Sequence, residues 1–112
     1  MAGSATPAEV TSELKQTIEA LQGVALRQYC GVAEGDDTAG LKPFEMFETV
    51  SVLTQVVAGT NIFSKVQISD KPEFIQMRIY CALPHTGERP VLVAIRKGEA
   101  AAGELTYFEA SQ

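Results

Sequence analysis

Apolar residues recur early in the chain at spacings of three and four, at Val10, Leu14, Ile18, Leu21, Ala25 and Tyr29. That period lays a single apolar stripe along a helix. Thr6-Pro7-Ala8-Glu9 reads as its start, with Thr6 as N-cap, Pro7 at the first helical position and Glu9 completing a capping box. Gly31 is placed to close the helix just after Cys30 in the left-handed conformation. Gly23, inside the stripe, weakens it by about 1 kcal/mol relative to alanine.

Residues 31–43 lose all periodicity and gather glycines, adjacent aspartates and Pro43, so an extended surface loop is expected there. Beyond it the period changes to two. Phe44, Met46, Val50, Val52 and Val56 share one parity, the pattern of a half-buried strand, while Phe47 and Leu53 break the alternation and point to a bulge. Ile62, Val66 and Ile68 mark a second strand, and Ser69-Asp70-Lys71-Pro72 a turn. Ile75, Met77, Ile79 and Cys81 then line one face of a third strand, which Pro84 ends by removing a backbone donor. Pro84-His85-Thr86-Gly87 makes another turn. Val91, Val93 and Ile95 form a fourth strand and Leu105 to Phe108 a fifth.

A helix followed by antiparallel strands, with no second helix between them, predicts an α+β fold whose helix covers one sheet face. Val10, Leu14, Ile18 and Leu21 are expected to pack on Val50, Val66, Met77, Ile79 and Val93. The 112 residues, 46% of them hydrophobic, suit a single domain over 1–112 with a flexible trunk at 1–5.

Charge and composition narrow the function classes. The net charge of -5 repels phosphate backbones and anionic lipid, so neither nucleic acid nor membrane is an expected partner. Apolar runs such as Val91 to Ile95 fall far short of the roughly 20 residues a membrane-spanning helix needs. The N-terminus shows no basic residue followed by an apolar stretch, so no secretory signal is visible and a cytoplasmic location is expected. In that compartment Cys30 and Cys81 are read as free thiols.

Catalytic signatures are missing: there is no phosphate-cradling glycine loop, no G-x-S-x-G and no cysteine pair at zinc spacing. An enzyme is not expected, nor any cofactor or metal. His85 stands alone and reads as a solvated turn residue. Cys81 and His85 resemble a nucleophile and base only on paper, because strand parity turns Cys81 inward, where a thiol stays protonated. Cys30 lies at a helix C-terminus, an end of the dipole that gives a thiolate no support. Glu13, Lys15 and Glu19 lie off the apolar stripe as a solvated face.

One connection departs from the usual rule that loops are polar. Gln55-Val56-Val57-Ala58-Gly59 joins the first two long strands and is apolar. Its valines either end a strand or form an exposed tip that meets a partner. Here the chain resembles the cystatin superfamily, and in particular its disulfide-free stefin branch, whose hallmark is Q-x-V-x-G. Gln55-Val56-Val57-Ala58-Gly59-Thr60-Asn61 is similar to the stefin first hairpin, Leu83-Pro84-His85 to the second, and Glu104-Leu105-Thr106-Tyr107-Phe108 to the last strand. The motifs fall in the family's order, and Ala5-Thr6-Pro7 is also stefin-like. The connection over residues 30–43 is longer than stefins usually have, and the trunk is short.

The resemblance implies a cystatin-like roll, with one long helix on a four- to five-stranded antiparallel sheet. It also implies a reversible, competitive inhibitor of papain-like cysteine proteases such as cathepsins. The binding edge would comprise Gly3 in the trunk, Gln55, Val56, Val57, Ala58 and Gly59 in the first hairpin, and Leu83, Pro84 and His85 in the second. The expected state is a monomer, with strand exchange through the first hairpin as a route to a dimer that buries the tip. The rival reading is a non-inhibitory binding module on the same scaffold.

Overall fold

In the computed structural model, which describes residues 4–32 and 40–109, the N-terminal stripe forms two consecutive helices, α1 (Ser12–Glu19) and α2 (Gln22–Cys30). The helix starts later than the Thr6 capping box predicts. Thr11 is the N-cap: its side chain accepts the Leu14 N–H at 3.2 Å, and Glu13 in the first turn complements the positive end of the dipole. Thr6–Ala8 instead forms a short strand, β1. Its pairing with a neighbouring strand outweighs the local cap signal, and Pro7 is tolerated because β1 lies at the sheet edge.

Between the helices the expected single rod is interrupted at Ala20 and Leu21, where the Leu21 N–H reaches the Ile18 carbonyl at 3.1 Å, one residue short of the α-helical spacing. The Ala25 N–H then returns to Leu21 at 2.9 Å, so the stripe continues. Ile18 and Ala25 are fully buried, and Val10, Leu14, Leu21 and Tyr29 pack partly buried beside them. Gly31 closes α2 at φ 71° with the Val32 N–H on the Arg27 carbonyl at 2.9 Å, as the sequence predicts.

The strands β2 (Glu48–Val57), β3 (Gly59–Gln67), β4 (Phe74–Cys81) and β5 (Val91–Arg96) join β1 in one antiparallel sheet of order β1-β2-β3-β4-β5. This is the α+β arrangement expected. One face carries Val52, Ile62, Val66, Ile75, Met77, Ile79 and Leu92 against the helices. At about 25 cal/mol per Å² of buried apolar area, this layer is the main stabilising contact of the fold.

Two of the expected core residues are displaced by bulges. The β2–β3 register slips between Thr49 and Ser51, which makes Val50 the extra residue and turns it out to 48% exposure. Thr49 and Phe47 take the inward side instead, which accounts for the broken alternation in the sequence. A second slip between Arg78 and Ile79 pairs Ile79 with Leu92 and Arg78 with Ala94, so Leu92 enters the core and Val93 stays half-buried.

The opposite sheet face has its own small cluster of Phe63, Ala94, Leu105 and Phe108. Leu105 to Phe108 form no strand, contrary to the sequence expectation; they lie as irregular chain against this face. Their approach is fixed by a short helix, α3 (Glu99–Ala102), whose end carbonyls receive Lys65 and Gln76. Lys65 Nζ donates to Ala102 O at 3.0 Å and Gly103 O at 2.8 Å, and Gln76 Nε2 donates to Gly103 O at 3.3 Å. Arg78 continues the row, with Nη1 donating to the Phe108 carbonyl at 2.8 Å. A hydrogen-bonded clamp thus does what a ladder was expected to do. Among the described residues, no helix is long and apolar enough to cross a membrane.

Candidate functional site

β2 and β3 are paired to their very ends: Gln55 faces Asn61, Val56 faces Thr60 and Val57 faces Gly59, leaving Ala58 alone at the apex. So tight a reversal requires a backbone few residues tolerate. Gly59 supplies it at φ 114°, and it is sterically committed as well. A Cβ there would meet the Cys81 carbonyl oxygen at 2.5 Å and the Tyr80 hydroxyl at 2.8 Å.

Among the described residues, side-chain hydrogen bonds from Asn61 and Tyr80 brace the tip. Asn61 Nδ2 donates to Gln55 Oε1 at 3.0 Å across the hairpin, and the Tyr80 hydroxyl donates to the Ala58 carbonyl from β4. Above these braces the apolar side chains stand out. Val56 is 70% exposed, more than any other large hydrophobic among the described residues, while Val57 is half-buried.

The second turn lies at the same end of the sheet. Thr60, beside the apex, pairs with Cys81 at the end of β4, and the chain then leaves the sheet through Leu83-Pro84-His85. Pro84–Thr86 form a single 3-10 turn in which the Thr86 N–H and hydroxyl both donate to Leu83 O, at 3.0 and 2.9 Å, and Gly87 closes it at φ 69°. Leu83 is 44% exposed on this framework. Pro84 and His85 are exposed beside it.

The trunk approaches the same end. β1 runs antiparallel to β2 with Thr6 opposite Thr54, so Ala5 and Ser4 continue toward the level of Gln55 and Val56. Both border a groove of about 570 Å³ with Leu53, Gln55, Leu105 and Tyr107. Gly3 lies outside the described residues, as does most of the 31–43 loop.

The remaining chemical candidates stay apart. Cys81 is half-buried and unpaired, and burial pushes its thiol above the ordinary value of 9.0, toward the protonated form. Cys30 is exposed and unpaired at the end of α2. Among the described residues no group of His, Cys, Asp and Glu is arranged to hold a metal ion. What this end of the molecule offers is an exposed apolar edge on a hydrogen-bonded frame.

No protein-family model matches the chain. Cystatin-B of Pan troglodytes is 43% identical over 67 residues, which make up 60% of this chain and 67% of the relative. The chain belongs to the stefin branch of the cystatin superfamily. Cystatin-B of Homo sapiens is 42% identical and that of Bos taurus 36%, each over 67 residues with the same coverage. As a stefin, the chain falls among inhibitors of cysteine proteases rather than enzymes. The stefin motifs in its sequence take in Asn61 at the end of the first hairpin without giving it a bracing role, and they leave out Tyr80. Asn61 is signalled by hairpin register once Ala58 is taken as the apex. Tyr80 lies two strands from β2 and is visible only in the assembled sheet.

Proposed function

We propose that this stefin inhibits papain-like cysteine proteases reversibly, competitively and tightly by filling their active-site cleft. The trunk around Gly3, the Gln55–Gly59 hairpin and the Leu83-Pro84-His85 turn would form the binding edge. The observation that carries this reading is the exposed apolar tip at Val56, braced from below and set at the same end of the sheet as Leu83.

Physical chemistry accounts for inhibition without cleavage. A protease of this type cuts a chain that lies extended with a carbonyl beside the thiolate, and a hairpin bent at Ala58 presents no such geometry. Val56, Val57 and Leu83 bring apolar surface to the cleft walls, and Pro84 stiffens the second contact. The tips are held beforehand by strand pairing, so little ordering entropy is lost on association. An interface of about 1,600 Å² is then sufficient for tight binding. The site belongs to the monomer, and a cytoplasmic location fits the free thiols.

Titration of active papain with a fluorogenic peptide substrate tests this directly. Activity is expected to fall linearly to zero near one equivalent of the protein, and to return on dilution. Full papain activity in a large excess would overturn the reading in favour of a scaffold that grips some other protein.

A further inference from the structure

The two braces under the hairpin differ in kind. Gln55 and Asn61 belong to the hairpin itself, whereas Tyr80 reaches it from β4. In the sheet Tyr80 pairs with Asn61, two residues from Gly59 on β3, so its ring leans diagonally along the neighbouring strand. There it covers the place where Gly59 has no side chain: a Cβ at Gly59 would lie 3.0 Å from Tyr80 Cε1. An aromatic ring laid over a strand glycine restores packing that the glycine forfeits. It also delivers the phenol to the Ala58 carbonyl, at the apex of the tip.

We propose that Tyr80 is a positioning residue for the inhibitory edge: its hydroxyl fixes the apex at Ala58 in the conformation that enters the protease cleft. The proposal rests on the inhibitory reading above. Gly59 and Tyr80 then act as one device, the glycine permitting the bend and making room for the ring, and the phenol locking the bend. A phenylalanine would fill the same space and leave the apex carbonyl without this donor. An inhibitor whose competent tip conformation is only partly populated associates with an apparent affinity reduced by that fraction.

The test compares the wild type, Tyr80→Phe and a control, Ile79→Val, which trims the buried neighbour on the same strand. Papain inhibition constants, association rates, thermal midpoints and the backbone 15N order parameters of Val57, Ala58 and Gly59 are measured for each. Tyr80→Phe is expected to raise the inhibition constant about five- to tenfold, the scale of one lost hydrogen bond. Most of that change is expected in the association rate, with lower order parameters at the apex and a thermal midpoint no lower than that of Ile79→Val. The control is expected to inhibit like the wild type.

Inhibition by Tyr80→Phe equal to that of the wild type overturns the positioning role while leaving the inhibitory function standing. Equal weakening by Ile79→Val also overturns it, because general destabilisation then explains the loss. A wild-type protein that leaves papain fully active overturns the functional reading and this role together.

Discussion

Val56 and Val57 are chemically identical and adjacent, yet the fold treats them differently. Val56 projects into solvent at the end of its strand and contributes little to the folded state, while Val57 is half-buried opposite Gly59. A charge placed at Val56 is therefore a clean probe of binding. Val56→Asp is expected to weaken papain inhibition by about 2 kcal/mol, roughly 30-fold, because a carboxylate would have to be desolvated against an apolar cleft wall. The thermal midpoint should stay within a degree or two of the wild type, since surface changes of this kind usually cost under about 0.5 kcal/mol. An unchanged inhibition constant would show that the tip is not the contact. Sequence reading locates the five residues of this hairpin but cannot rank its valines, because exposure at a tip depends on register. Register here is set by the bulge at Val50 and by the pairing of Gln55 with Asn61.

Elements were legible in proportion to how local their causes are. The helical stripe from Leu14 to Tyr29, the Gly31 closure and the Pro84-His85-Thr86-Gly87 turn all follow from period and from single-residue backbone preferences, and all are present. The misread elements are those in which a distant partner decides. Thr6-Pro7-Ala8-Glu9 has good helix-start chemistry, but residues 6–8 pair with Val52 to Thr54 far along the chain, and that ladder wins. Leu105 and Phe108 alternate poorly for a strand, yet they find a second small core formed by Phe63 and Ala94 from the back of the sheet. Val91, Val93 and Ile95 follow a period of two that the bulge opposite Arg78 and Ile79 cancels. The helix start gives an element-scale test. Thr11→Ala removes the side-chain acceptor of the Leu14 N–H and is expected to cost about 1 kcal/mol in urea unfolding, whereas Thr6→Ala leaves the cap intact and costs less. A larger loss at Thr6 than at Thr11 would return the cap to the position the sequence suggests.

At the scale of the molecule, sheet topology gathers the proposed edge. An antiparallel meander places its alternate connections at one end, so the β2–β3 apex and the β4–β5 turn share a side, and β1 feeds the trunk toward it. None of the three segments needs to touch another for this arrangement to hold, because the sheet as a whole positions them. Their contributions to binding should therefore be separable. Removing residues 1–4 leaves every β1 pair in place, since the ladder begins at Thr6, and leaves Ala5 against the second core. The truncated chain should keep its thermal midpoint and still titrate papain to completion at high concentration. Its inhibition constant is expected to rise about tenfold, or about 1.4 kcal/mol, through faster dissociation, because contacts made by the trunk add to a complex already docked through the hairpins rather than guiding the encounter. Identical inhibition constants for the full and truncated chains would remove the trunk, and Gly3 with it, from the binding edge while leaving both hairpins in place. Complete loss of inhibition would show instead that the hairpins alone hold too little of the binding energy.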